Sequence, residues 1–182
     1  MKRLLGKSQF SDQGLALYRA AVEQARQPHF YLGLAVPDSV DGRFDLIALH
    51  IFLVMRRLKR EGEVAKALSQ DLSEIFFADM DINLRELGAS DIGVGRRVKR
   101  MIEGFYGRAL AYEAALDGAG ENLAEVLRRN LYGTIEVEEA TLLRVAVYVE
   151  AVDQALAQQP WSVLEAGKIA FPSPQKGAEE NV

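Results

Sequence analysis

The sequence predicts an all-α fold, a single-domain bundle of about six helices around a buried central helix (about 44–61). Three observations carry that expectation. Apolar residues recur at three- and four-residue spacing along most of the chain. Leu46 to Met55 is a ten-residue apolar run broken only by His50, and a helix hydrophobic on all sides is a buried one. Alternating strand patterns are nearly absent. The length of 182 residues suits one domain, and 49% hydrophobic residues can fill a core.

The elements follow in order. Ser11-Asp12 opens a first helix whose apolar face is Leu15, Tyr18, Val22 and Ala25, and Pro28 ends it. Pro28, Gly33, Pro37 and Gly42 make 28–42 a loop or broken turn, with Phe30-Tyr31-Leu32 folding back onto the core. The central helix stops at Gly62 after Arg56, Arg57, Lys59 and Arg60, cations that suit a helix C-terminus. A third helix over 63–79 carries the stripe Val64, Leu68, Leu72, Ile75 and Phe76, and a short helical turn over 81–87 closes at Gly88. Ser90 caps a long helix to Leu116 that buries Val94, Val98, Met101, Ile102, Phe105, Ala109, Tyr112 and Leu116. Leu123, Leu127 and Leu131 mark a fifth helix over 121–132, and Leu142, Val145, Val149, Val152 and Leu156 a sixth over 136–158. Trp161, Leu164, Ile169 and Phe171 strap back over the body. The domain thus spans 1–171, and the Pro-, Gly- and charge-rich tail 172–182 is expected to be disordered.

Composition removes several classes of function. With no cysteine there is no disulfide, thiolate metal site or cysteine nucleophile, and a reducing compartment is expected. The longest apolar run is half of the roughly 20 residues a membrane span needs. The start Met-Lys-Arg-Leu-Leu-Gly-Lys turns polar too early for a signal peptide and is too short for a mitochondrial presequence, so the cytosol is the expected location. The net charge of −4 divides unevenly: 43–108 holds 12 basic and 10 acidic residues, 109–182 holds 5 and 12. Two electrostatic faces orient a partner, whereas a nucleic-acid-binding domain is basic throughout.

Few side chains are placed for chemistry. His29 and His50 are the only histidines and neither follows a Glu by three, which excludes a helical di-iron site. Asp79-Met80-Asp81 beside Glu74 offers oxygen ligands but lacks a calcium loop's glycine and spacing; the alternative is carboxylates paired with nearby arginines. His50 reads as a core histidine with a hydrogen-bond partner, or as a general base, for which no nucleophile motif is present. Gly93-Val94-Gly95 lacks the third glycine and preceding strand of a dinucleotide loop. Two basic clusters, Arg56-Arg57-Lys59-Arg60 and Arg96-Arg97-Lys99-Arg100, are either solvated faces or one joint patch for RNA, anionic lipid or an acidic partner. Gly104 and Gly107 in mid-helix each cost about 1 kcal/mol, which suggests that another helix or a bound chain comes close there. Arg108 is expected to pair with acids of the 79–91 segment.

Together these residues resemble a known family. Leu49-His50-Ile51-Phe52-Leu53, Phe76-Phe77-Ala78-Asp79-Met80-Asp81, Leu84-Arg85-Glu86-Leu87-Gly88, Asp91, Val98-Lys99-Arg100-Met101 and Phe105-Tyr106-Gly107-Arg108 are similar in order and spacing to the ubiquinol–cytochrome c chaperones, over about 30–116. The resemblance implies a helical, non-catalytic assembly factor for the cytochrome bc complex, of bacterial type, without cofactor. It implies a client such as cytochrome b, a small partner protein, and contact with the ribosome or the inner face of the cytoplasmic membrane. By position it marks His50, Asp79, Arg85, Asp91, Tyr106 and Arg108 as fold anchors or client contacts. The other readings are an RNA- or membrane-surface protein using the basic clusters, and an enzyme using His50.

Overall fold

The computed structural model describes residues 10–86 and 91–174, the side chains of Asp91 and Ile92 excepted. These residues form eight α-helices and one 3₁₀ turn, with no strand among them: α1 (Asp12–Ala25), α2 (Pro28–Leu32), α3 (Val40–Lys59), a 3₁₀ turn (Gly62–Ala65), α4 (Lys66–Glu86), α5 (Asp91–Leu116), α6 (Leu123–Asn130), α7 (Glu139–Gln158) and α8 (Trp161–Glu165). Six of the helices have eight residues or more, as the apolar periodicity leads one to expect. The central one is α3, which packs against α1, α4, α5 and α7. Leu46, Leu49, Ile51, Leu53, Val54 and Leu58 along it are fully buried.

Local chemistry sets the boundaries. Ser11 and Ser39 cap α1 and α3 by accepting hydrogen bonds from the amides of Gly14 and Gly42. The central helix therefore starts at Val40, inside what reads as loop. Gly42 fits there because a Cβ would lie 2.2 Å from the carbonyl oxygen of Pro37. Pro28 opens the one-turn helix α2 at its first position, where its missing N–H costs nothing, and Phe30 from that turn is fully buried.

The Asp79–Asp81 stretch does not interrupt α4. Buried Leu72, Phe76, Met80 and Leu84 recur every four residues through it. Both acids are also held within the helix, Asp79 by Asn83 and Asp81 by Arg85, each four residues on. They act as side-chain partners instead of caps, so the expected break is absent. Gly88 and Ser90, the expected stop and cap, lie outside the described residues, as do 1–9 and 175–182. Of the tail, Pro172 offers its carbonyl to Gln24 Nε2 at 3.0 Å.

Candidate functional site

His50 lies in the core. It is 0% exposed, edge-on to Phe30 and Phe171. Nδ1 lies 2.8 Å from the Leu46 carbonyl oxygen and Nε2 2.8 Å from the Tyr148 hydroxyl. A carbonyl only accepts, so Nδ1 carries the proton and Nε2 accepts from Tyr148, whose oxygen in turn accepts from Gln24 Nε2 at 2.9 Å. Burial pulls the imidazole down to about pKa 4, against a smaller opposing effect of the Leu46 bond. This neutral ring ties α1, α3 and α7 together. It is enclosed in the core and presents no surface to solvent.

The Phe-Tyr-Gly-Arg block of α5 divides its labour. Arg108 reaches across to Asp45 on α3 rather than to Asp79, Asp81 or Glu86, the described acids of the 79–91 segment. Asp79 and Asp81 already have partners in α4 itself, and the Tyr18 hydroxyl donates to Asp79 at 2.7 Å. Burial raises Asp45 to about pKa 6, and the nearby Arg108 guanidinium only partly offsets it. Asp45 could have been singled out from the sequence, as the one acid between Phe44 and the apolar run. Phe105 turns inward and meets Phe76 and Phe77 edge-on, with centroids 5.2 and 5.9 Å away. Tyr106 stays 47% exposed while packing on Phe77. Gly104 and Gly107 face open space, since a Cβ at either would meet nothing within 4 Å. No other described helix of this chain is the close neighbour that the glycines suggest.

Two open grooves flank this aromatic cluster. The first, of about 590 Å³, lies between the end of α3, the 3₁₀ turn, the start of α4 and the middle of α5. Phe52, Met55, Leu58, Phe105 and Ala109 line it, with Tyr106, Leu110, Arg56 and Lys59 among its bordering residues. The second, of about 480 Å³, is enclosed by residues of α1, α3, α4 and α5. Phe44, Ile47, Phe76, Met80 and Met101 line it beside Asp79 and Arg97. Of the residues singled out by resemblance, Asp79 and Tyr106 thus border grooves. His50 and Arg108 hold helices together, Arg85 pairs with Asp81 at 2.6 Å, and the Asp91 side chain lies outside the described residues. No set of three His, Asp or Glu side chains among the described residues is placed to hold a metal.

The two basic clusters do not form one patch. Arg56 bonds to Asp117 and Asp153, Arg60 to Asp153, and Lys59 to Glu113. Arg57 is buried against Glu61 and the carbonyls of Leu156 and Gln159. The first cluster therefore fastens α3 to α5 and α7. Glu113 lies fourteen residues beyond Lys99 on α5, about 21 Å along the axis. Arg96, Arg97, Lys99 and Arg100 are exposed. Of these four only Lys99 has a carboxylate neighbour among the described residues, Glu103 at 3.9 Å.

The described residues thus form a helical bundle with open, largely apolar grooves between its helices. The model of the ubiquinol-cytochrome C chaperone family matches residues 33–171, and the chain belongs to that family. The match extends well past the 30–116 segment that carries the resembling motifs. Ubiquinol-cytochrome c reductase complex assembly factor 1 of Mus musculus is 24% identical over 118 residues, 65% of this chain and 40% of that protein. Its counterpart in Xenopus laevis is 24% identical over 117 residues, 64% of this chain and 58% of that protein. The chain thus spans roughly half the length of these relatives. The crystal structure of the Cbp3 homolog from Brucella abortus superposes with a TM-score of 0.80 at 37% identity, covering 90% of this chain and 91% of that one. No described helix is long and apolar enough to cross a membrane.

Proposed function

We propose that this chain is a non-catalytic assembly chaperone for the ubiquinol–cytochrome c reductase complex, holding a subunit before it joins. Family membership over 33–171 carries the reading, because the relatives from mouse, frog and human are named as assembly factors of that complex. The grooves supply a physical means. Each presents aromatic and thioether side chains to solvent between charged borders, as expected of a surface that receives an apolar helical segment. Cytochrome b, rich in such segments, is the proposed client, and a small partner protein is proposed to act with this chain.

A photo-crosslinking residue in place of Tyr106 is expected to capture cytochrome b in cells assembling the complex. A strain lacking the chain should accumulate less of it. Normal levels of the complex in that strain would remove the proposal.

A further inference from the structure

The outward side of α7, together with α2, presents a surface that neither groove touches. Leu32 is 88% exposed and Leu143 and Val147 50% each, the last two one turn apart on a single face of α7. Arg144, next to Leu143, reaches toward α2. Its Nη2 donates to the Gly33 carbonyl oxygen at 3.3 Å and to the Thr141 hydroxyl at 2.9 Å. Apolar side chains and a cation thus stand together where Gly33, at the end of α2, meets α7.

Polar groups at this place are incomplete. The Arg144 Nε is buried without a hydrogen-bond partner, and so is Nε2 of His29, whose ring packs on the same Gly33. No described carboxylate pairs with Arg144, whereas Arg56, Arg57 and Arg108 each have an acid. A guanidinium held by a carbonyl and a hydroxyl, yet lacking an anion, is a fixed site for a carboxylate.

The chain itself carries carboxylates toward this site. Beyond α8 it turns back along α7, and at the end of that helix Ala170 exchanges hydrogen bonds of 2.7 and 3.0 Å with the Gln159 side chain. Two residues on, Gln24 Nε2 joins the Pro172 carbonyl oxygen at 3.0 Å to the Tyr148 hydroxyl at 2.9 Å, nearer the start of α7. Arg144 is the next turn in the same direction, about 6 Å past Tyr148. After the buried Pro174 the sequence reads Gln-Lys-Gly-Ala-Glu-Glu-Asn-Val. The five residues from Gln175 to Glu179 span up to about 17 Å, enough to bring Glu179 and Glu180 to Arg144.

We propose that residues 175–182 dock on the α2–α7 face, with a carboxylate of Glu179 or Glu180 on the Arg144 guanidinium and His29, and Ala178 against Leu143. The segment is then an intramolecular cover for an apolar patch, which any other occupant of this face must displace. The inference needs no client and involves neither groove, so it and the chaperone reading fail separately.

Because the chain has no cysteine, a pair can be introduced without competition. Leu143→Cys with Ala178→Cys is expected to close an intramolecular disulfide on oxidation, read as a faster-migrating monomer on non-reducing gels. It should close on the order of tenfold faster than the control pair Val64→Cys with Ala178→Cys, since docking raises the effective concentration. Val64 is 68% exposed but lies on the 3₁₀ turn, which packs on α3 and α4. In the Leu143/Ala178 pair, adding Glu179→Gln with Glu180→Gln, or Arg144→Gln, should slow closure about threefold, and all three together no more than either alone. Added salt should slow the pair that keeps these charges and leave the neutralised variants unchanged. Should Arg144→Gln lose its helical circular dichroism, the Glu179/Glu180 variant decides, because it alters no described residue. Equal rates for the two cysteine pairs, or a rate indifferent to Glu179→Gln with Glu180→Gln, would overturn the proposal. So would disulfide-linked dimers that grow with concentration, which would assign the face to a second copy.

Discussion

Replacing His50 with glutamine should change how the fold responds to acid more than it changes the fold at neutral pH. In the folded chain the ring is neutral with a pKa of about 4, while an unfolded histidine titrates near 6.5. Between those values the unfolded chain binds a proton that the folded one refuses. His50 therefore contributes stability above the unfolded pKa, and that contribution drains away as pH falls toward 4. The full displacement is worth about 3 kcal/mol, and the part lost between about pH 7 and pH 5 is about 2 kcal/mol. A glutamine side chain cannot titrate. It keeps an acceptor near the Tyr148 hydroxyl but loses the ring's edge contacts with Phe30 and Phe171, so a cost of about 2 kcal/mol is expected near pH 7. Urea denaturation followed by far-ultraviolet circular dichroism at both pH values reads the effect as a difference between parent and His50→Gln variant, in which other groups cancel. The variant should be weaker at pH 7 and nearly level with the parent at pH 5. If the gap between them is the same at both values, the buried neutral imidazole is the wrong description.

Three further outcomes can be checked by denaturation. Arg108→Gln leaves Asp45 without its cation while burial still opposes the carboxylate, so the variant should lose about 2 kcal/mol above pH 6. Because the folded pKa of Asp45 lies above its unfolded value, acid favours the fold through this group, where it opposes the fold through His50, and the loss should shrink as Asp45 takes up its proton. Gly107→Ala meets no neighbour and should raise stability by about 1 kcal/mol, visible as a higher denaturation midpoint. Gly42→Ala places a methyl group 2.2 Å from the Pro37 carbonyl oxygen and should lower the melting temperature by several degrees.

Periodicity carried most of the architecture, because an apolar stripe states which face a helix buries. Leu142 to Leu156 shows it plainly: Leu142, Val145, Val149, Val152 and Leu156 are all buried in α7. It failed where local rules compete. Asp79 and Asp81 resemble a helix end until the partners four residues on are known, and Gly42 reads as loop until the Pro37 carbonyl explains it. Charges were harder still. Arg56-Arg57-Lys59-Arg60 and Arg96-Arg97-Lys99-Arg100 are nearly the same string, yet one is an internal fastening and the other a bare surface. The difference lies in Glu113, Asp117 and Asp153, which stand 54 to 97 positions away from the Arg56 and Lys59 they hold and reach them only through the fold. The grooves were not legible either, because their walls from α1, α3 and the 3₁₀ turn meet α4 and α5 only through helix packing.

The block Phe105-Tyr106-Gly107-Arg108 shows why four adjacent residues carry so much of the resemblance. Successive residues of a helix point about 100° apart, so one turn faces in every direction. Phe105 fixes α5 to α4 through Phe76 and Phe77, and Arg108 fixes it to α3 through Asp45. Between these two fastenings Tyr106 is held at the border of the larger groove, while Gly107 leaves the outward face low. Arg108→Gln should therefore do more than destabilise. By freeing α5 from α3 it lets the wall carrying Tyr106, Ala109 and Leu110 shift, so crosslinking from position 106 to a client should fall even below pH 6, where stability recovers. Crosslinking restored together with stability would mean that the pair serves only the fold.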